Sequence, residues 1–198
     1  MNRLPEPEPD CDITVVVRVC DDEERIGHVL RRIAAHLRSM QLGFELLVAD
    51  EGSGDNTLAV TALMRPSVRE LEIMHAEPAL GFHDACQRAR GRVIMLYDAR
   101  TEAPLSALGF ALGRLRDGRD VVAVGGRFLV FRRTRAWRAF DALVTRRRRP
   151  RVLEKRFLRR ARALGLDCAT TQPKRKPLVA WGKLRDTLLR RPNLALRL

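Results

Sequence analysis

Residues 44–57 read FELLVADEGSGDNT, and the fold turns on where the apolar run stops and on the turn residues after it. Phe44 to Ala49 has the length and apolar character of a strand buried on both faces. EGSGDNT then supplies turn residues, with Asp55 or Asn56 as the cap of a helix starting near Leu58. The same order recurs on either side. Ile13 to Val19 (ITVVVRV) is a β-branched strand, and Asp21 to Met40 comes next, with Ile26, Val29, Leu30, Ile33 and Leu37 at helical spacing. The acids at 21–24 suit that helix's positive N-terminus. Downstream, Leu71 to His75 is a short third strand, Gly81 breaks the chain, His83 to Arg90 is helical, and Val93 to Tyr97 is a fourth strand. Strands alternating with helices in this way predict a largely parallel, doubly wound α/β sheet.

Further along, Pro104 to Leu115 predicts a helix, and Asp120 to Val124 and Arg127 to Phe131 are strands either side of the Gly125-Gly126 break. RRRRP at 146–150 reads as a loop or helix end. Arg151 to Leu164 is a helix with Gly165 as its C′ residue, and Trp181 to Leu189 a basic amphipathic helix stopped by Pro192. The chain has 198 residues, 45% of them hydrophobic, which suits one core. Residues 1–11 form a disordered, Pro/Glu-rich lead, 12–170 the globular domain, and 171–198 a basic amphipathic tail.

Cys11, Cys20, Cys86 and Cys168 form no C-x-x-C pair, so neither a zinc site nor a disulfide framework is expected, and a reducing cytosol is the natural home. There is no N-terminal apolar h-region and no apolar stretch of the ~20 residues that a spanning helix needs, so neither secretion by a signal peptide nor a membrane span is expected. The charge is split. Residues 119–198 carry 24 Lys or Arg against 5 Asp or Glu, a net of +19, which leaves 14 and 19, or −5, for residues 1–118. A basic half of that density attracts phosphates, anionic lipid headgroups or nucleic acid. With one Tyr, seven Phe and two Trp there are few stacking platforms for single strands, and no reader motif accompanies them. Nucleic acid is therefore not the expected partner.

Three of the predicted strands end in acids: CDDEE after the first, ADEGSGDNT after the second, DART after the fourth. Ligands of open α/β sheets collect at such carboxyl ends, while the bland reading of each acid is a turn or helix cap. The set resembles the GT-A fold of family 2 glycosyltransferases, whose members read like PVYNEE, VDDGSxDxT and LDAD at these places. The resemblance covers residues 12 to about 105 well, the nucleotide-binding half, and 106–170 in patches, as a shortened acceptor half.

That resemblance implies roles by position. Asp50 matches the acid that receives the nucleoside, with Glu51 where a second Asp is usual, and an acceptor-only carboxylate can pair with base N–H or ribose hydroxyls. Asp21, Asp22 and Glu23 occupy the first loop beside the same nucleoside, while Arg18 and Cys20 replace the usual Pro and Tyr. Asp98 matches the first acid of an Asp-x-Asp pair that helps hold a divalent cation, Mg²⁺ or Mn²⁺, against the donor diphosphate. Arg100 replaces the second. Arginine cannot ligate a cation, but a guanidinium binds phosphate oxygens directly, so Arg100 either supplies the charge that metal normally supplies or marks a relic that kept the fold without catalysis. The segment GFHDACQRARG is about one helical turn shorter than the family's equivalent, and His83 and Asp84 lie in it. LEKRFLRRARALG at 153–165 resembles the stretch that carries the general base, which makes Glu154 the candidate base, with Lys155 where a second acid is expected. As a helix-start acid, Glu154 also has a purely electrostatic reading.

The resemblance implies sugar transfer from a nucleotide-diphospho-sugar to an acceptor, with a nucleotide-sugar-binding pseudoenzyme and a basic anion binder as rival readings. A lipid-linked acceptor would fit a cytoplasmic protein that associates peripherally with the membrane through its basic half, with Trp137 and Trp181 at the interface.

Overall fold

The computed structural model describes residues 10–77, 80–101, 103–136 and 150–171, which form one seven-stranded sheet with helices on both faces. The strands are β1 (Cys11–Val19), β2 (Phe44–Asp50), β3 (Leu71–His75), β4 (Gly91–Asp98), β5 (Val121–Val124), β6 (Phe128–Arg132) and β7 (Cys168–Thr171). The helices are α1 (Glu23–Ser39), α2 (Thr57–Leu63), α3 (Gly81–Arg88), α4 (Ser106–Arg116), α5 (Arg133–Ala136) and α6 (Pro150–Ala163). Sheet order is β3-β2-β1-β4-β6-β5-β7. β1 to β4 run parallel, as expected from the alternation of strands and helices.

The departure is β6, which runs antiparallel to both β4 and β5. Its cause is local. Gly125 and Gly126 both have positive φ, and Arg127 N donates to the Val124 carbonyl at 2.8 Å, closing a tight turn that sends the chain straight back beside β5. Positive φ at both central residues is what a hairpin turn asks for. α5 and β7 were not anticipated; they are too short for periodicity to mark. β1 opens at Cys11, before the Ile13 read from the sequence. The basic helix proposed at 181–189, the run at 146–149, Trp137, Trp181 and residues 1–9 lie outside the described residues.

Strand alternation divides the core. Val15, Val17, Val19, Leu46 and Val48 pack on the face covered by α1, α2 and α4. Val16, Leu47, Ile94, Leu96, Leu129 and Phe131 pack on the other face with Phe82 and Cys86 of α3 and Phe157 of α6. Both faces are covered, which is why these strands read as continuous apolar runs. β1 and β4 approach closely at Gly91, where an added Cβ would stand 2.3 Å from the Thr14 nitrogen. α6 ends as its Gly165 suggests: φ is +75°, and Leu166 N donates to the Ala161 carbonyl at 3.0 Å.

Candidate functional site

The register sets the site. Val19 of β1 lies opposite Asp50 of β2, and Arg18 of β1 lies opposite Asp98 of β4. The acids predicted to converge therefore end the two strands that flank β1, at the carboxyl edge of the sheet. Alternation then parts their side chains: Asp50 continues the Leu46 and Val48 row toward α1 and α2, whereas Asp98 continues the Ile94 and Leu96 row toward α3. Glu51, one residue on, falls on the Asp98 side.

Asp50 is buried, its carboxylate accepting from the Ser53 hydroxyl at 2.5 Å and from Ser53 N at 3.2 Å, with His75 Nδ1 3.9 Å away. The first and second loops are stitched together by their own acids. Asp21, at φ 55°, accepts from Gly54 N at 2.8 Å while its own N–H reaches Ser53 Oγ at 3.1 Å. Glu23 accepts from Asn56 N at 2.8 Å, and Glu23 N donates to Asp55 at 3.1 Å. Asp55 also accepts from Thr57 N at 2.9 Å and from its hydroxyl, and the hydroxyl bond leads in holding the Asp55 carboxyl below its ordinary range. Carboxylates thus satisfy amides at the starts of α1 and α2 across the gap, and at α2 from within its own loop as well. Asp22 is buried, accepts from Cys20 N at 3.0 Å, and lies 3.5 Å from Arg25 Nε and from Arg100 Nε.

The residue that sequence reasoning passed over is Arg18, which stands out there only as a departure from the family's first loop. Its guanidinium donates to Asp98 Oδ2 at 2.7 Å, lies 4.0 Å from Glu51 Oε1, and sits 5.1 Å from the centre of the Phe82 ring. The signal was present: a lone charge inside ITVVVRV must find partners if the strand is buried on both faces. Glu51 in turn accepts from Gly81 N at 3.3 Å, at the start of α3. A side chain at Gly81 would come within 2.8 Å of that carboxylate.

Beyond Asp98 the chain turns tightly. Arg100 N donates to Asp98 Oδ1 at 2.9 Å, and Thr101 caps the Asp98 carbonyl through N (2.9 Å) and Oγ1 (2.8 Å), so the bland reading of Asp98 as a cap also holds. The Arg100 side chain reaches back over the strand end to the Cys20 carbonyl and to Asp22. A divalent cation does not fit these donors. Asp98 already accepts from Arg18 and from the Arg100 amide, a guanidinium stands where the second acid would be, and among the described residues no three His, Cys, Asp or Glu side chains converge to hold a metal ion.

Glu154 lies in α6, one turn in from Pro150, and its side chain is outside the described residues. α6 packs on β5, β6 and β7 through Phe157, Leu158 and Ala161, leaving Lys155, Arg156, Arg159, Arg160 and Arg162 exposed. His83 and Asp84 pair with each other on α3 at 3.0 Å.

A mostly parallel sheet with acid-bearing loops at the carboxyl ends of β1, β2 and β4 is the architecture of a GT-A nucleotide-diphospho-sugar transferase. The model of glycosyl transferase family 2 matches residues 14–174, and the chain belongs to that family. It is 29% identical over 145 residues to an undecaprenyl-phosphate 4-deoxy-4-formamido-L-arabinose transferase of Pseudomonas paraeruginosa, covering 69% of this chain and 41% of the relative. The chain thus spans about two fifths of that relative's length. Among solved structures, the mannosyltransferase PcManGT of Pyrobaculum calidifontis, in complex with GDP-Man and Mn²⁺, superposes with a TM-score of 0.64 at 16% identity, over 87% of this chain and 61% of that one. TarS 1–349 of S. aureus, in complex with UDP-GlcNAc, superposes with a TM-score of 0.63 at 15% identity, over 83% and 59%.

Proposed function

We propose that the chain binds a nucleotide-diphospho-sugar across the carboxyl ends of β1, β2 and β4 and passes the sugar to a lipid-linked acceptor at an anionic membrane face. The observation that carries this reading is the gathering of three loops, Asp21–Glu23, Asp50–Thr57 and Asp98–Thr101, around the end of β1 in a chain of this family. Asp50 belongs to the nucleoside side, and Asp98 and Arg100 to the diphosphate side; Glu51, which the resemblance gave to the nucleoside, stands on the Asp98 side against Arg18. In the reaction, the bond from the anomeric carbon to the diphosphate oxygen breaks as an acceptor oxygen bonds to that carbon, and the nucleoside diphosphate leaves. A hydroxyl acceptor must also lose its proton, the role assigned to Glu154; a phosphate acceptor, already anionic near neutral pH, needs no base.

Asp50 tests the donor half. Asp50→Ala is expected to weaken binding of UDP or GDP by about 1.5–3 kcal/mol, the loss of one hydrogen bond to a charged group. Because the Ser53 hydroxyl covers the carboxylate, Ser53→Ala is the control: it uncovers Asp50 and should leave affinity unchanged or raised. Equal weakening by both variants in calorimetry would mean that Asp50 shapes the loop and does not touch the nucleotide. Turnover separates the two family readings, since sugar transfer marks an enzyme and tight binding without transfer marks a pseudoenzyme.

The acceptor half draws support from the named substrate of the Pseudomonas relative and from the exposed cations of α6. Basic residues near an anionic surface contribute about 1 kcal/mol each, and no helix among the described residues is long and apolar enough to cross a membrane. Arg159→Ala with Arg160→Ala should therefore reduce co-sedimentation with phosphatidylglycerol vesicles by about 2 kcal/mol at low salt. Unchanged sedimentation would remove α6 from the membrane contact.

A further inference from the structure

We infer that Arg18 and Arg100 are the chain's own counter-cations at the diphosphate position, so that donor binding in this protein proceeds without a divalent metal. This rests on the donor-site reading and specifies the chemistry of its diphosphate side.

The two arginines approach Asp98 from opposite directions. Arg18 comes from within the sheet: its side chain is only 12% exposed, it grips Asp98 Oδ2 at 2.7 Å, it faces Glu51, and the Phe82 ring backs it. One of the two Asp98 oxygens is thereby occupied by a guanidinium, and the other accepts from the Arg100 amide. Arg100 comes from the strand end. Its side chain is 55% exposed, and one corner is held by the Cys20 carbonyl while Nε faces Asp22. A guanidinium has five N–H donors in a planar fork, so the rest of the fork is left for a ligand. Phosphate oxygens match that geometry bidentately.

The ion pairs point the same way: Asp22, Glu51 and Asp98 face Arg18, Arg25 and Arg100. An added divalent cation at Asp98 would have to displace these guanidinium pairs, and at close range to two positive side chains it would be repelled. A diphosphate meets the reverse situation: Arg100 can turn from Asp22 toward it, while Arg18 continues to neutralise Asp98, which would otherwise repel the phosphates. Arg18 is thus a positioning residue that keeps Asp98 from opposing the ligand, and Arg100 is the group that touches it.

The test titrates the full chain with UDP and with GDP, once in EDTA and once in Mn²⁺, and separately monitors Mn²⁺ alone by the loss of its free-ion electron paramagnetic resonance signal. The expected result is nucleotide affinity in EDTA within about twofold of that in Mn²⁺, and no uptake of Mn²⁺ alone. Arg100→Ala should lose about tenfold or more in EDTA, the fold-change for one charge-assisted bond. Arg100→Asp, which places two carboxylates at the strand end, should take up Mn²⁺. Both are changes at a half-exposed residue, and unaltered circular dichroism establishes that each variant folds. The inference is overturned if Mn²⁺ tightens native binding about tenfold or more, if the native chain takes up Mn²⁺ alone, if Arg100→Ala binds as the native chain does, or if Arg100→Asp takes up none. Should neither nucleotide bind under either condition, the donor-site reading fails, and the Mn²⁺ titrations alone decide the counter-cation assignment.

Discussion

Arg18→Met should lower the free energy of unfolding by about 3–5 kcal/mol, the range found when one partner of a buried ion pair is removed. Met fills much of the volume and still lies against the Phe82 ring, so the loss comes mainly from charge. Asp98 and Glu51 are 5% and 4% exposed, and without Arg18 both carboxylates lose the guanidinium that faces them. Adding Asp98→Asn to Arg18→Met should recover much of the loss, because the carboxylate nearest the missing guanidinium is then neutral. A double-mutant cycle measured in urea, which does not screen charge, reads the coupling directly. A loss under about 1 kcal/mol, the range of exposed pairs, would place Arg18 in solvent-like surroundings and contradict its buried pairing.

Phe157→Ala should cost about 3–5 kcal/mol, through lost transfer energy and the cavity left behind. Phe157 is fully buried, its ring 5.2 Å from that of Phe131 at an interplanar angle of 36°. It anchors α6 to β6, and α6 leads through Gly165 to β7, the last strand of the sheet. The same variant should therefore speed amide hydrogen exchange in Cys168–Thr171 more than in β1, whose neighbours are untouched. Uniform exchange across the sheet, or a cost under about 1.5 kcal/mol, would mean that α6 is only loosely attached. The exposed cations of α6 depend on this anchor for their position, so vesicle binding should fall in this variant too.

Much of the fold was legible because its signals are local. ITVVVRV, FELLVAD and VIMLYD are runs that suit strands buried on both faces, LEIMH is a shorter run at the sheet edge, and the turn and cap residues between them mark where each helix starts. Gly125-Gly126 was legible as a break, but that both residues take positive φ and turn the chain back into an antiparallel β6 is seen only in the backbone geometry. β7, at four residues, carries too little pattern to be read.

The candidate site divides along the same line. That acids end the first, second and fourth strands is written in the sequence, because strand ends and turn residues are local features, and with them the expectation of a ligand at the carboxyl edge. Which groups those acids meet is set by register and pleat. Period-two alternation sends Asp50 and Asp98 to opposite faces although one strand separates them, and it sets Glu51 beside Arg18. Loop packing turns Asp21, Glu23 and Asp55 onto each other's backbone amides. The pairing of Arg18 with Asp98 joins residues 80 positions apart, and only the parallel register of β1 and β4 brings them to 2.7 Å. Sequence alone therefore determined which residue types stand at the carboxyl edge; tertiary structure decided which charges meet there, because an ion pair depends on distances across the sheet that no local pattern encodes.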